Sequence, residues 1–334
     1  MKLILKEKGW NPMKKFSIAL MMFALMVLLV ACGSKEEKPE GSTANENNEQ
    51  SEPAAENETL TITHELGETV VAQNPEKVVV FDFGALDTLD ELGVEVAGLP
   101  RTNVPGYLSK YDDDKYVNVG SLKEPDFEAI HAMKPDLILI SGRQMELYDQ
   151  FTEIAPTIFV GVDTAHYMDS FKKNMGTLAE IFDKEDEMNA ELAEIDEQIA
   201  AISEKTAESD KKALIVLGTE GKVSAYGPNS RFGIIHDVFG FKPADEKIEV
   251  STHGQNITFE YILEQNPDVL FVIDRDAAIS EGASAKDSIE NDLVKKTNAF
   301  QNDKMIYLDG DYWYLSGGGL KSMKEMVKEV EAAL

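Results

Sequence analysis

Residues 183–207, DKEDEMNAELAEIDEQIAAISEKTA, decide how the chain is put together. Met188, Leu192, Ile195, Ile199 and Ile202 recur at steps of three and four with no glycine or proline between them, so the spacing predicts one helix of about six turns. Its other faces are mostly charged, the pattern of a strut laid along a surface. On either side of it stands one motif, FEAIHAMKPDLILISGR from Phe127 to Arg143 and FEYILEQNPDVLFVIDR from Phe259 to Arg275. Aligned without gaps, the copies share Phe, Glu, Ile, Pro, Asp and the final Arg. Each reads as a short helix, a Pro-Asp turn, a buried strand, and an arginine where that strand ends. The same unit on both sides of one rigid helix predicts two similar lobes.

A chain of 334 residues is long enough for two such domains. Acidic residues outnumber basic ones 61 to 32, giving a formal charge of −29. Nucleic acid is thereby excluded as a partner, because its binding needs cationic side chains that release counterions. Lys14 and Lys15 precede an apolar run from Phe16 to Val30 that ends in Leu29-Val30-Ala31-Cys32. This resembles a bacterial lipoprotein signal, with cleavage leaving Cys32 as the lipidated first residue and Met13 as the better start. Cys32 is the one cysteine, so no disulfide or cysteine-based metal cluster competes for it. From Gly33 to Glu58 the chain lacks large apolar residues and is expected to be a flexible tether.

Leu60 to Ala72 alternates and turns near Gly67, predicting a hairpin. KVVVFDF from Lys77, the helix GALDTLDELG and the strand VEVAGLP follow, then the first motif copy, with a helix over 126–133 and a strand over 136–140. Thr157 to Val160 adds a strand, and Tyr167 to Phe182 a helix. Beyond the strut come KALIVLG from Lys212, KVSAYG, the helix RFGIIHDVFG, the second motif copy, KMIYLD from Lys304 and a closing helix from Gly318, with Gly317-Gly318-Gly319 as its flexible start. Runs buried on both faces and alternating with helices predict parallel, doubly wound sheets. The expected divisions are a signal peptide at 1–31, a tether at 32–58, a first α/β lobe at 59–166, a helical segment at 167–207, and a second α/β lobe at 208–334.

The chain holds four arginines among its 32 basic residues. Lysine serves as the solvating cation, so the arginines call for a geometric role, such as the planar fork that grips paired oxygens. Arg101, Arg143, Arg231 and Arg275 each follow a predicted strand, two per lobe. Ligands of open α/β sheets bind at the carboxyl ends of strands, so four guanidinium groups there predict a pocket for a compact polyanion. The acidic surface is screened beyond about 8 Å at physiological salt and does not forbid it. Tyr107, Tyr226, Tyr312, Trp313 and Tyr314 lie beyond strand ends, where rings could stack on a ligand; for 312–314, core packing stays equally open. Of five histidines, only His166 and His253 fall in loops, and no pair has zinc-site spacing. Glu128 and Glu260 stand one residue into the motif helices, away from the arginine end of the following strand. They favour the helix dipole, and as a matched pair they also suit a partner with two basic sockets.

There is no GxGxxG, P-loop, GxSxG or HExxH motif and no cysteine nucleophile, so the chain is not expected to be an enzyme. With its lipobox, strut, repeated PDL/PDV motif and paired glutamates, it resembles the iron-siderophore solute-binding proteins of ABC transporters over residues 60–334. VVVFDFGALDTLDELG, SLKEPDF, SGRQ, SAYGPNSRFG, STHGQ, FVIDR and YWYLSGGG are similar to the catecholate-type, petrobactin-binding lipoproteins of Gram-positive bacteria. The resemblance implies a bilobed α/β substrate-binding protein of the helical-backbone class, two doubly wound lobes joined by a single long interdomain helix, with small lobe movements. It implies a monomer held by lipid on Cys32 at the extracytoplasmic face of the cell membrane. Its ligand would be an anionic ferric siderophore, met by the four arginines with Tyr107, Tyr226, Trp313, Tyr314 and His253. Iron would arrive chelated, with no intrinsic cofactor and no metal ligand from the protein. Glu128 and Glu260 match the family's docking glutamates, which pair with arginines of the ABC permease and so couple to its ATPase. Receptors of the same fold for haem, cobalamin or bare zinc or manganese are the alternative. A bare ion needs more converging histidines than the loops supply, and four arginines suit a corrin poorly.

Overall fold

In this computed structural model, residues 58–280 and 282–334 are described. The expected signal segment, Cys32 and the tether up to residue 57 lie outside the described residues. An antiparallel hairpin of β1 (Thr59–His64) and β2 (Gly67–Ala72) leads in, paired from Thr59↔Ala72 to His64↔Gly67.

The first lobe then runs β3 (Val78–Val80), α1 (Phe83–Glu91), β4 (Gly98–Leu99), β5 (Val117–Asn118), α2 (Phe127–Met133), β6 (Leu137–Ile140), α3 (Tyr148–Thr152) and β7 (Thr157–Phe159). Its sheet is parallel throughout in the order β5-β4-β3-β6-β7. The strand order reverses between β3 and β6, so the crevice at their carboxyl ends is the switch point where ligands of such sheets sit. Alternation along β3 explains the unbroken apolar run: Val78 and Val80 face one core, while Val79 and the following Phe81 face another with Ile130 and Phe151.

Helices α4 (Tyr167–Phe182) and α5 (Glu185–Ala207) connect the lobes. Asp183, in the left-handed region at φ 59°, ends α4 and separates it from the strut. The strut, α5, has 23 residues, about 34 Å at 1.5 Å per residue. It buries Met188, Ile195, Ile202 and Thr206 and leaves its acidic faces to solvent.

The second lobe contains β8 (Lys212–Thr219), β9 (Lys222–Tyr226), α6 (Ile234–Asp237), β10 (Lys242–Pro243), β11 (Gln255–Ile257), α7 (Phe259–Gln265), β12 (Val269–Asp274), α8 (Arg275–Ile279), α9 (Lys286–Ile289), α10 (Asn298–Gln301), β13 (Met305–Leu308) and α11 (Leu320–Glu331). Its sheet, in the order β11-β9-β8-β12-β13 with β10 beside the start of β8, is mixed. β8, β10, β12 and β13 keep the expected parallel sense among themselves. Glu220 and Gly221 both take positive φ, 50° and 74°, and that two-residue turn folds β9 back antiparallel on β8.

The repeated motif has one physical cause in both lobes. Asp126 and Thr258 cap α2 and α7 through the backbone N–H groups of Ala129 and Tyr261, and Lys134 and Asn266 end them in left-handed conformation. The Pro-Asp carboxylates then accept the first N–H of the neighbouring strand, Asp136 from Lys77 at 2.9 Å and Asp268 from Lys212 at 3.0 Å.

The closing helix α11 does not stay with the second lobe. It packs on α1 of the first lobe as well as on the strut, and one hydrophobic core runs from β3 and α1 through α4, α5 and α11 to β8 and β12. At the crossing, the fully buried Asp87 of α1 accepts from the backbone N–H of Lys321 at 2.7 Å and of Ser322 at 2.8 Å, and from the Ser322 hydroxyl. Gly319 is therefore more than a flexible start to α11. A Cβ there would stand 2.6 Å from the Asp87 carboxyl carbon and 2.7 Å from the Gly84 carbonyl oxygen.

Candidate functional site

Three of the four arginines meet on one tyrosine. Arg143 follows β6 at the switch point of the first sheet, Arg275 follows β12, and Arg231 lies on the loop after β9. Tyr314 belongs to a single π-helical turn, Asp311–Leu315, between β13 and α11. Its carbonyl oxygen accepts from Arg231 Nη2 at 2.6 Å and from Arg143 Nη2 at 3.4 Å. Its phenol oxygen accepts from Arg275 Nε at 2.9 Å, and the Arg231 guanidinium lies 4.3 Å from its ring centroid.

Among the described residues, no carboxylate lies within ion-pair distance of Arg143, Arg231 or Arg275; the ion pairs there are made by Arg101 and by lysines. Burial pulls the Arg231 guanidinium below its usual value, the charge of Arg143 adds to this, and the two neighbouring tyrosines oppose it. Burial would push the Tyr314 phenol up, but the Arg275 hydrogen bond and the charges of all three arginines bring it below its usual value. The Tyr226 ring packs edge-on to Phe232 at 4.6 Å, and burial pushes its phenol up to about 12 against the pull of Arg231 and Arg275. The result is a cationic cluster around Tyr314, with Arg143 from the first lobe and Arg231 and Arg275 from the second, none paired with a carboxylate among the described residues. Its chemistry suits an anion that offers several oxygens in fixed geometry, with an aromatic face to stack.

The other expected site residues are placed differently. Arg101 is not brought to the arginine cluster: its Nη1 pairs with Asp114 at 3.0 Å and its Nη2 donates to the Asp112 carbonyl, so its charge is already matched. Trp313 points into the core at 3 % exposure and donates its indole N–H to Glu329 at 2.7 Å, since successive residues of a helical turn cannot share one face. Tyr107 stacks on Tyr312 at 4.7 Å, and its hydroxyl is engaged with Asp87 at 2.8 Å and Ser316 at 2.7 Å. That makes it part of the seam under the π turn. His253 lies on an exposed turn before β11; β11 pairs with β9, and Gly254 abuts the Tyr226 ring, so this turn forms part of the rim.

Glu128 and Glu260 are exposed, and they stand at the arginine end of the sheets, contrary to expectation. A helix between parallel strands must run antiparallel to them, so its first turn lies level with their carboxyl ends. The backbone N–H of Asp126 bonds the carbonyl of Val119 just past β5, while Asp136 beyond the far end of α2 caps the start of β3. Thr219, Asp276 and Asp87, which support the site, went unnoticed in the sequence: nothing local marks a threonine or aspartate whose partner lies tens of residues away.

The family described as periplasmic binding protein matches residues 78–312. The chain is 51 % identical over 326 residues to the petrobactin-binding protein YclQ of Bacillus subtilis, covering 96 % of this chain and 99 % of that protein. The crystal structure of YclQ superposes with a TM-score of 0.80 over 83 % of this chain and 98 % of that one. The ferric-anguibactin-binding protein FatB of Vibrio anguillarum is 36 % identical over 278 residues, 81 % of this chain and 86 % of its own. A further solved structure, the siderophore-binding protein BauB bound to two acinetobactin molecules and ferric iron, matches with a TM-score of 0.76 and 36 % identity over 83 % of this chain and 98 % of that one.

Proposed function

The chain belongs to the periplasmic binding protein family, and on that footing we propose that it is an extracytoplasmic receptor that binds an anionic ferric siderophore between its lobes and delivers it to an ABC permease for iron uptake. The observation that carries this is the meeting of Arg143, Arg231 and Arg275 on Tyr314 without a carboxylate among them. A catecholate siderophore brings paired phenolate oxygens on flat rings, which match planar guanidinium forks gathered on the half-buried Tyr314. Relatives named for petrobactin and for ferric anguibactin support this ligand class, and the 51 % relative favours petrobactin within it. Iron enters as cargo, already held by its chelator.

Lipid on Cys32 would tether the receptor to the outer face of the cell membrane. Glu128 and Glu260, one exposed on each lobe at the cleft end, are the residues we assign to the permease, where two separated arginines would receive them. The shared core and the Asp87 seam oppose wide hinge closure, so capture relies on side chains already in place.

The test is calorimetric titration of the purified protein with ferric petrobactin, a neutral ferric trihydroxamate, haemin, cobalamin and zinc. Submicromolar saturable binding of ferric petrobactin, with the neutral complex at least tenfold weaker, is expected from roughly one or two lost charge-assisted contacts. Saturation by haemin, cobalamin or zinc alone would overturn the ligand assignment while leaving the fold intact.

A further inference from the structure

Arg275 is held in a way that Arg101 is not. The last register pair of β8 and β12 is Gly218↔Asp274, which sets Thr219 beside Arg275 one step beyond the sheet. Arg275 Nη1 donates to the Thr219 hydroxyl at 2.8 Å, and its Nε donates to the Tyr314 phenol at 2.9 Å. The Thr219 hydroxyl in turn donates to Asp276 Oδ1 at 3.0 Å, and Asp276 Oδ2 accepts the Glu220 backbone N–H at 2.7 Å.

Proton counting gives this chain a direction. A carboxylate can only accept, so the single Thr219 proton is committed to Asp276, and the hydroxyl oxygen offers only lone pairs to Arg275. Bonds from Nε and Nη1 fix the guanidinium plane and leave the Nη2 edge with both donors unassigned among the described residues. Asp276 thus acts through one intervening hydroxyl and stays beyond ion-pair distance of Arg275. Arg101, by contrast, touches Asp114 directly. An anionic ligand reaching a directly paired arginine must compete with the carboxylate, and Coulomb attraction weakens with each ångström of separation.

We infer that Thr219 and Asp276 are positioning residues that set the plane of Arg275 while sparing its charge for the ligand, an inference that rests on the proposed anion-binding role of the cleft. Neither residue need touch the siderophore. The hydroxyl relay orients the fork, and with no direct ion pair to it among the described residues the fork stays available.

A double-mutant cycle with ferric petrobactin as the probe tests this, using calorimetry on Thr219→Val and Thr219→Ser in both the native and the Arg275→Ala backgrounds. Thr219→Val should raise Kd about five- to tenfold, the usual effect of one lost hydrogen bond, and Thr219→Ser should restore it to within about twofold. In the Arg275→Ala background Thr219→Val should change nothing further. An equal loss in both backgrounds, or no loss in the native one, would overturn the inference. A ligand-free arm uses nitrogen NMR of the four arginine side chains. Slow rotation of the Arg275 guanidinium is expected in the native protein and fast rotation in Thr219→Val; unchanged rotation overturns the positioning role. If the native protein fails to bind ferric petrobactin, the ligand assignment falls, and the NMR arm still decides the relay.

Discussion

Replacing Arg231 by lysine keeps the formal charge and removes the geometry. The native guanidinium makes a 2.6 Å bond to the Tyr314 carbonyl and lies 4.3 Å from the Tyr314 ring centroid. A charge-assisted hydrogen bond contributes about 1.5–3 kcal/mol and a partly desolvated cation–π contact about 0.5–2 kcal/mol. These contacts hold the fork in place; an ammonium cannot keep both or present paired donors, so one charge-assisted contact to the ligand is expected to be lost, about 2 kcal/mol or roughly 30-fold in Kd. Burial adds a second signature. It already pulls Arg231 below its usual value, and a lysine, which starts lower, would be pulled toward neutrality. The affinity of Arg231→Lys for ferric petrobactin should therefore fall further as pH rises from 7 to 9, while the native protein changes little. Calorimetry at three pH values with a matched thermal melt separates this from misfolding. A Kd within threefold of native at every pH would refute the forked-contact reasoning.

Arg101→Ala should leave affinity within about twofold, since its partner is an exposed aspartate and such surface pairs contribute under about 1 kcal/mol; a tenfold loss in the same titration would return Arg101 to the site. Burial pushes Asp87 up to about 6 from 3.8, so the folded state holds its proton more tightly than the unfolded chain does. The resulting stabilisation is full below pH 3.8 and is lost as pH rises through 6. The difference between native and Asp87→Asn denaturation curves should accordingly shrink by about 3 kcal/mol across that window, and a flat difference would contradict it. Glu128→Ala and Glu260→Ala should bind ferric petrobactin normally yet lower cellular iron uptake roughly tenfold or more; normal uptake would remove them from permease docking. Ile195→Ala, at the fully buried centre of the strut, should cost about 2–5 kcal/mol in chemical denaturation.

Much of the architecture was written in local periodicity. The expected helix Tyr167–Phe182 is the one found, and α5 begins two residues inside the run that predicts it, because Asp183 takes the left-handed turn between them. The strands of both motif copies were legible because runs of four and five apolar residues after Pro-Asp, too short for a buried helix, suit a sheet covered on both faces. Short elements were not. The two-residue strands β5 and β10 have no period to detect and exist because a neighbouring backbone supplies their hydrogen bonds, whereas β4 is the end of the expected strand VEVAGLP.

By itself the sequence determined the strut and the placing of arginines just past strand ends, which follow from patterns within about twenty consecutive residues, and the two-lobed plan, which follows from one such pattern standing on both sides of the strut. Tertiary structure alone decided which arginines are available. Arg143 and Arg231 reach Tyr314 across 171 and 83 residues, while Arg101 finds its acid 13 residues away. It also decided that Tyr314 meets the arginines and Trp313 the core, that Glu128 and Glu260 stand at the arginine end of the sheets, and that α11 is bolted to α1 across 234 residues by Asp87. The physical reason is common to all of these. Periodicity reports whether a residue is covered, whereas the charge a side chain has left for a ligand depends on the partners that packing brings from distant parts of the chain.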